Sequence, residues 1–376
     1  MIRREFLSAV AASAAPARAA GAKVAAARCR SYGAELLPAL EKMFDQLGGL
    51  GRLVKGKTVA MKVNLTGQST VRLGYVPAEL AHWTHPAVIG ATAHLMARAG
   101  AHRIRILECG WSTADPLEEV VLEAGWDPQV LLSAAPRVEF ENTNWLGNAK
   151  EYSRFQVPHG GHIFPGFELN HSYEDCDVFV SIAKMKEHAT AGVTLAMKNL
   201  FGIAPATIYG EGAGKDDPSV LPRGGRGMFH YGHRQPSRSA PSEKDPKTPR
   251  EGGYRVPRIV ADLVAARPIH LSIIEGIDSM AQGEGPWIPG GRFIRPGVLV
   301  AGLNPVSTDA VCMLLMGFDP LADRGTAPFE RCDSTLRLGE ELGVGTRDLK
   351  RIEVLGTPIR ELRFDIRRLP TASFPG

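Results

Sequence analysis

Short apolar runs alternate with amphipathic stretches along most of this chain, and their order predicts an α/β fold. Lys23–Cys29 reads as a strand, Glu35–Leu47 as a helix and Thr58–Leu65 as a second strand. His85-Pro86 opens a helix through Arg98, with Pro86 in the favoured first turn and Gly100 as the stop. Arg103–Glu108 follows as a strand, and Pro116–Ala124 as a helix closed by Gly125. Val178–Ala183 is apolar without alternation, the pattern of a strand covered on both faces. A helix over Tyr254–Ala266, strands Ile269–Glu275 and Val298–Ala301, and an apolar helix Val306–Met316 continue the rhythm. Short strands near Ile352–Leu355 and Leu362–Ile366 end it. The pattern predicts a mainly parallel sheet with helices on both faces. It would form one elaborated domain or two closely packed lobes over residues 21–366, with a tail at 367–376. Ligands of such sheets bind outside the carboxyl ends of the strands.

One region breaks this rhythm. Pro205–Gly253 is rich in Gly, Pro and charge and lacks apolar periodicity. Structureless loops this long are uncommon inside compact domains and tend to be lids, binding loops or disordered segments. The first half carries Tyr209, Lys215, Phe229, His230, Tyr231 and His233, and reads as a loop covering a site. The second half, Gln235–Arg250, is mostly Pro, Ser and charge and reads as a mobile segment.

Composition narrows the picture further. A chain of 376 residues, 44% of them hydrophobic, can bury a large core. Its net charge is +4, of which residues 1–20 carry +2, from three arginines against one glutamate. That balance gives no electrostatic case for a nucleic-acid partner, and Arg223–Gly227 is an isolated RGG-like stretch read as a loop. Met1–Ser8 carries Arg3-Arg4 before Phe6-Leu7, a twin-arginine export pattern, and Ala9–Ala15 and Ala17-Arg18-Ala19 follow as apolar core and cleavage site. Residues 1–20 are therefore expected to be a signal peptide read by the twin-arginine export machinery, giving a periplasmic or otherwise exported protein. The apolar segment falls well below the ~20 residues that span a bilayer, so no transmembrane segment is expected. The five cysteines, Cys29, Cys109, Cys176, Cys312 and Cys332, are too scattered for a zinc knuckle or an iron–sulfur ligand run. Export would allow a pair of them to oxidise, and the sequence does not choose which.

The richest chemistry lies between Val178 and Gly202, where Lys184, Lys186, His188, Lys198 and Asn199 stand among apolar and small residues. An ammonium in such surroundings tends to lose its proton or recruit an anion. Familiar signatures are missing. Gly210–Lys215 lacks P-loop spacing, and there is no dinucleotide glycine fingerprint, nucleophile elbow, His-Glu-x-x-His or EF-hand loop.

Several segments together resemble domain-of-unknown-function family 362. They are Gly56–Leu65, Thr84-His85-Pro86, Ala99-Gly100-Ala101, Lys184-Met185-Lys186 with His188, and Thr194–Gly202. Downstream, Ile274–Asp278, Gly283–Pro286 and Pro305–Ala310 continue the match, which spans nearly all of the mature length. The resemblance brings no settled reaction. Many members of that family carry ferredoxin-like cysteine clusters, which this chain lacks, so no iron–sulfur cluster is expected.

Two readings of the candidate residues stay open. Lys62 and Asn64 share a strand face at period two and would meet an anionic ligand, or Lys62 would reach solvent from an edge strand. Lys198 and Asn199 would bind ligand, or cap a short element before Gly202. His188 would be a ligand, a general base or a core histidine. Among the acidic residues Glu275, Asp278, Glu284 and Asp309, the pair Asp278 and Asp309 would hold a divalent metal, although Asp309 equally suits a helix start. The Thr84-His85-Pro86 junction reads as an ordinary helix start. The expectation is an exported enzyme with Lys184, His188 and His230 as catalytic groups and Lys62, Asn64, Lys198 and Asn199 holding an anionic small molecule, a carboxylate or a phosphate. The alternative is a non-catalytic periplasmic binding protein using the same basic pocket.

Overall fold

The computed structural model describes residues 22–374, so residues 1–20 with their export pattern lie outside the described residues. Eight strands form the central sheet: β1 (Ala22–Arg28), β2 (Thr58–Lys62), β3 (Arg103–Glu108), β4 (Val138–Asn142), β5 (Val178–Lys184), β6 (Leu271–Gly276), β7 (Val298–Gly302) and β8 (Ile352–Gly356). Their spatial order is β8-β1-β7-β6-β5-β2-β3-β4. All pairings are parallel except those of β7, which runs against both of its neighbours. The fold is α/β, with a mainly parallel sheet.

Both faces of the sheet are covered, and successive residues of each strand feed opposite cores. Val59, Met61, Val180 and Ile182 join one core with helices α1 (Leu36–Gln46), α2 (Pro86–Arg98) and α3 (Leu117–Glu123). Ala60, Phe179 and Ala183 join the other, with the short helix α4 (Ala196–Asn199), α5 (Gly252–Ala266) and α6 (Pro305–Leu315). Local signals set the helix ends. His85 caps α2 by accepting the Ala87 N–H onto its ring, with Pro86 in the first turn, and Asn304 caps α6 by accepting from Ser307.

The chain places β3 and β4 on one side of β2 and then returns to lay β5 and β6 on the other. The β2/β5 boundary is thus the point where strand order reverses, and the crevice at the carboxyl ends of these strands is where ligands of open α/β sheets bind. β2 is interior and Lys62 is buried, which removes the edge-strand reading of that residue.

Two expectations are corrected here. Leu362–Ile366 forms no strand: a helical turn at Ile359–Leu362 follows β8, which is itself the sheet edge. Gln235–Arg250 is irregular but anchored. Glu243 is buried and pairs with Arg255 of α5 at 2.6 Å and with Arg250 at 2.8 Å, while Ser237 Oγ donates to the Gly214 carbonyl. One buried carboxylate supplies the anchorage that composition alone does not reveal. Among the described residues, no helix is long and apolar enough to cross a membrane.

Candidate functional site

Lys62 ends β2 beneath a cavity of about 590 Å³ that is roofed by the loops above the strand ends. Its ammonium is fully engaged, by Glu108 of β3 at 2.7 Å, Asn199 Oδ1 at 3.0 Å and the Val63 carbonyl at 2.5 Å. Glu108 is held in turn by the backbone N–H groups of Leu65 and Cys109. Asn199 closes the switch point by donating to the Lys62 carbonyl and to Ser181 Oγ of β5. A β-carbon on Gly202 would stand 2.8 Å from Glu108 and 2.9 Å from Lys62 Nζ, so only glycine lets α4 and the turn after it settle on this pair.

Lys198, one residue before Asn199, has no such partner. Its Nζ lies 4.1 Å from the Phe201 ring centroid and lines the cavity, and among the described residues no carboxylate pairs with it. Burial pushes its pKa down to about 7; Glu284 opposes that shift, and the charges of Arg226 and Lys62 add to it. Arg226 also lines the cavity. Its Nε donates to the Ala204 carbonyl, but among the described residues its buried Nη2 has no partner and no carboxylate meets it. Lys186 adds a third amine, hydrogen-bonded among the described residues only to the His82 carbonyl at 2.6 Å, and burial drives its pKa well down.

Two histidines face the same space in opposite tautomers. His230 Nδ1 bonds the Arg226 carbonyl at 3.0 Å, so that nitrogen carries the proton and Nε2 keeps its lone pair. His188 Nδ1 accepts the Thr190 N–H at 3.1 Å, so its proton sits on Nε2. Burial is the main cause that lowers both pKa values, and Lys198 adds to each, so both rings are neutral near pH 7. Glu284 accepts from Ala189 N at 3.0 Å and from Trp287 Nε1 at 3.1 Å, and stays ionised beside them.

The cavity therefore gathers Lys62, Asn64, Lys198, Asn199, His188 and His230. Lys184 is not among its lining residues. Lys62 is in register with Ser181, and Lys184 lies three residues beyond it, an odd step that turns its side chain to the other face of the sheet. There Lys184 is fully buried against Glu275, and also donates to the Glu79 carbonyl at 2.7 Å and the Asp278 carbonyl at 3.1 Å. Glu275 is bound by Tyr32 Oη and the His85 N–H, and Tyr32 stacks on His85 at 3.5 Å. This set is a structural clamp over the start of α2.

Asp278 and Asp309 are likewise engaged elsewhere. Asp278 pairs with Arg295 at 3.2 Å. Both oxygens of Asp309 accept backbone N–H groups of α4, from Ala196 at 2.9 Å and Met197 at 3.0 Å. Asp309 thus caps the helix that carries Lys198 rather than its own, and neither aspartate lines the cavity. Among the described residues, no group of three or more His, Cys, Asp or Glu side chains is arranged to hold a metal ion.

The model of a family described as a domain of unknown function, DUF362, matches residues 59–314, more than half of the chain. The chain belongs to the DUF362 family. A thylakoid-associated protein of Synechocystis sp. is 26% identical over 351 residues, covering 93% of this chain and 88% of its own length. A crystal structure of a Thermotoga maritima protein superposes on this DUF362 chain with a TM-score of 0.39 at 14% identity, covering 76% of this chain and 59% of that one.

Sequence reasoning missed Arg226 and the two tryptophans, Trp111 and Trp287, that line this DUF362 cavity. Arg226 lay hidden in a glycine-rich stretch read as a flexible loop. The available signal was its place four residues before His230 in a segment already read as covering a site.

Proposed function

We propose that this protein takes an anionic small molecule, a carboxylate or a phosphate, into the cavity and acts on it as an exported enzyme. One observation carries the reading: Lys198 and Arg226 both line the cavity and, among the described residues, neither has a carboxylate partner, whereas Lys62 beneath them is paired with Glu108. Cations in such a site are stabilised by a bound anion, which relieves both their mutual repulsion and their desolvation. Lys62 and Asn199 form the rigid floor, and Asn64 and Lys186 extend the polar wall. The opposite tautomers of His230 and His188 favour catalysis over simple storage. His230 Nε2 accepts a proton from the bound molecule, and His188 Nε2–H, on a ring that stays neutral, donates a hydrogen bond to the negative charge that this transfer develops.

Native mass spectrometry of the purified mature protein, followed by identification and incubation of whatever co-purifies, tests this reading. A bound organic anion that is converted supports the enzyme. One that is retained unchanged leaves a periplasmic binding protein. Absence of affinity for any carboxylate or phosphate overturns both.

A further inference from the structure

The cavity holds unsatisfied groups of two kinds and three half-exposed aromatic side chains. Asn64 Oδ1 and Thr194 Oγ1 are buried, in residues 6% and 3% exposed, and neither has a hydrogen-bond partner. Both residues line the cavity with Arg226, whose Nη2 is also unpartnered. A buried amide oxygen without a donor is costly, so the site is built for a molecule that donates as well as one that carries negative charge. Trp111, Tyr231 and Trp287 line the same cavity yet remain 46%, 49% and 44% exposed. Trp287 is fixed in direction by its Nε1–H bond to Glu284. A β-carbon at Gly67 or Gly285 would stand 2.6 or 2.2 Å from its ring, and one at Gly225 would stand 3.2 Å from the ring of Trp111. Glycine at these positions lets the indoles rest against the chain while each stays about half-exposed. Fixed, half-exposed aromatic faces beside cations suit a ligand with a flat ring.

We propose that the ligand is an organic anion with a planar ring and at least one hydrogen-bond donor. Its anionic group sits at Lys198 and Arg226, its donor meets Asn64 Oδ1, and its ring covers the Trp287 indole. The inference rests on the anion-binding reading above and narrows the substrate to a ring-bearing class. Calorimetric and tryptophan-fluorescence titrations of the mature chain would compare acetate and inorganic phosphate with 4-hydroxybenzoate, 4-hydroxyphenyl phosphate and adenosine monophosphate. The ring-bearing probes should bind roughly 10-fold or more tighter than the ringless ones, the scale of a stacked ring. Trp287→Leu should reduce that ratio toward one while leaving phosphate binding in place, and Trp111→Leu gives an independent measurement should Trp287→Leu not fold. A tighter nucleotide than aryl phosphate would place the ligand among nucleotides, and the reverse among aryl acids. Equal affinity of ringed and ringless anions, or a ratio untouched by both tryptophan variants, overturns this inference and leaves the anion reading standing. No binding of any probe overturns both.

Discussion

Lys62 and Lys184 end neighbouring parallel strands, yet their side chains leave opposite faces of the sheet. Each is buried against a glutamate from the next strand outward, Glu108 on one side and Glu275 on the other. Both pairs hold the structure together, whereas Lys198 has no such partner. Lys184→Met would leave Glu275 buried and uncompensated, a change that costs about 3–5 kcal/mol. Lys198→Met removes a charge that the empty protein does not pair. Urea unfolding should therefore show a large loss for Lys184→Met and an unchanged or raised stability for Lys198→Met. Anion titration should show the reverse order, with Lys198→Met weakening binding by roughly 10-fold or more. A destabilised Lys198→Met with normal anion binding would mean that the lysine is structural.

The ammonium of Lys198 also sets a sign for pH. Its pKa of about 7 lies below the ordinary 10.5, so between these values the unfolded chain holds more protons than the folded one. Stability from this group rises as pH climbs from 7 to 10.5. Asp309 is opposite: burial lifts its carboxyl from 3.8 to about 7 against the two backbone N–H groups that favour its anion, so its contribution falls as pH climbs through that window. The difference in unfolding free energy between wild type and Lys198→Met should be largest at pH 7 and below and vanish near pH 10.5. A difference that is flat across this range would contradict the depressed lysine.

The segment 235–250 should resist protease in the intact protein, because Glu243 ties it to Arg255 in the core. Glu243→Ala leaves Arg255 buried without its carboxylate and should expose the segment to limited trypsin cleavage at Arg238, Lys244 or Lys247. Cleavage there in wild type at the rate of an unstructured peptide would argue against the anchorage.

Periodicity showed where the strands lie but not how they are registered. The apolar run of β5 and the Pro86 start of α2 carry their structure locally, in side-chain pattern and backbone chemistry. Whether Lys184 shares a face with Lys62 depends on a three-residue offset between strands far apart in sequence, which only tertiary pairing sets. Asp309 shows the same limit. Its place near the expected start of the helix at Val306 suggested a cap, and its carboxylate does cap a helix, but that helix is α4, more than a hundred residues earlier. The strand β4 escaped notice because its sequence, Val138-Glu139-Phe140-Glu141-Asn142, has two glutamates among five residues, as suits a sheet edge.

The proposal of export rests on Arg3-Arg4 before Phe6-Leu7. Replacing both arginines with lysine should leave uncleaved precursor in the cytoplasm, as fractionation and N-terminal sequencing would show. Normal processing of that variant would reject the twin-arginine route.

Anion uptake and proton transfer ask opposite things of pH, and the cavity meets both over a limited range. Lys198 must be protonated to attract an anion, which in the free protein holds below about pH 7. His230 must be neutral for Nε2 to accept a proton, and burial keeps it neutral to below the ordinary 6.5. The profile of kcat/KM reports groups of the free enzyme, so it should be bell-shaped, with an alkaline limb near 7 and an acid limb below 6.5. Lys198→Arg keeps its charge at every accessible pH and should move the alkaline limb upward while the acid limb stays. His230→Gln should lower kcat by roughly 100-fold or more with little change in affinity, the scale of a lost general base. An alkaline limb unmoved by Lys198→Arg would detach that lysine from the reaction, whatever its part in binding.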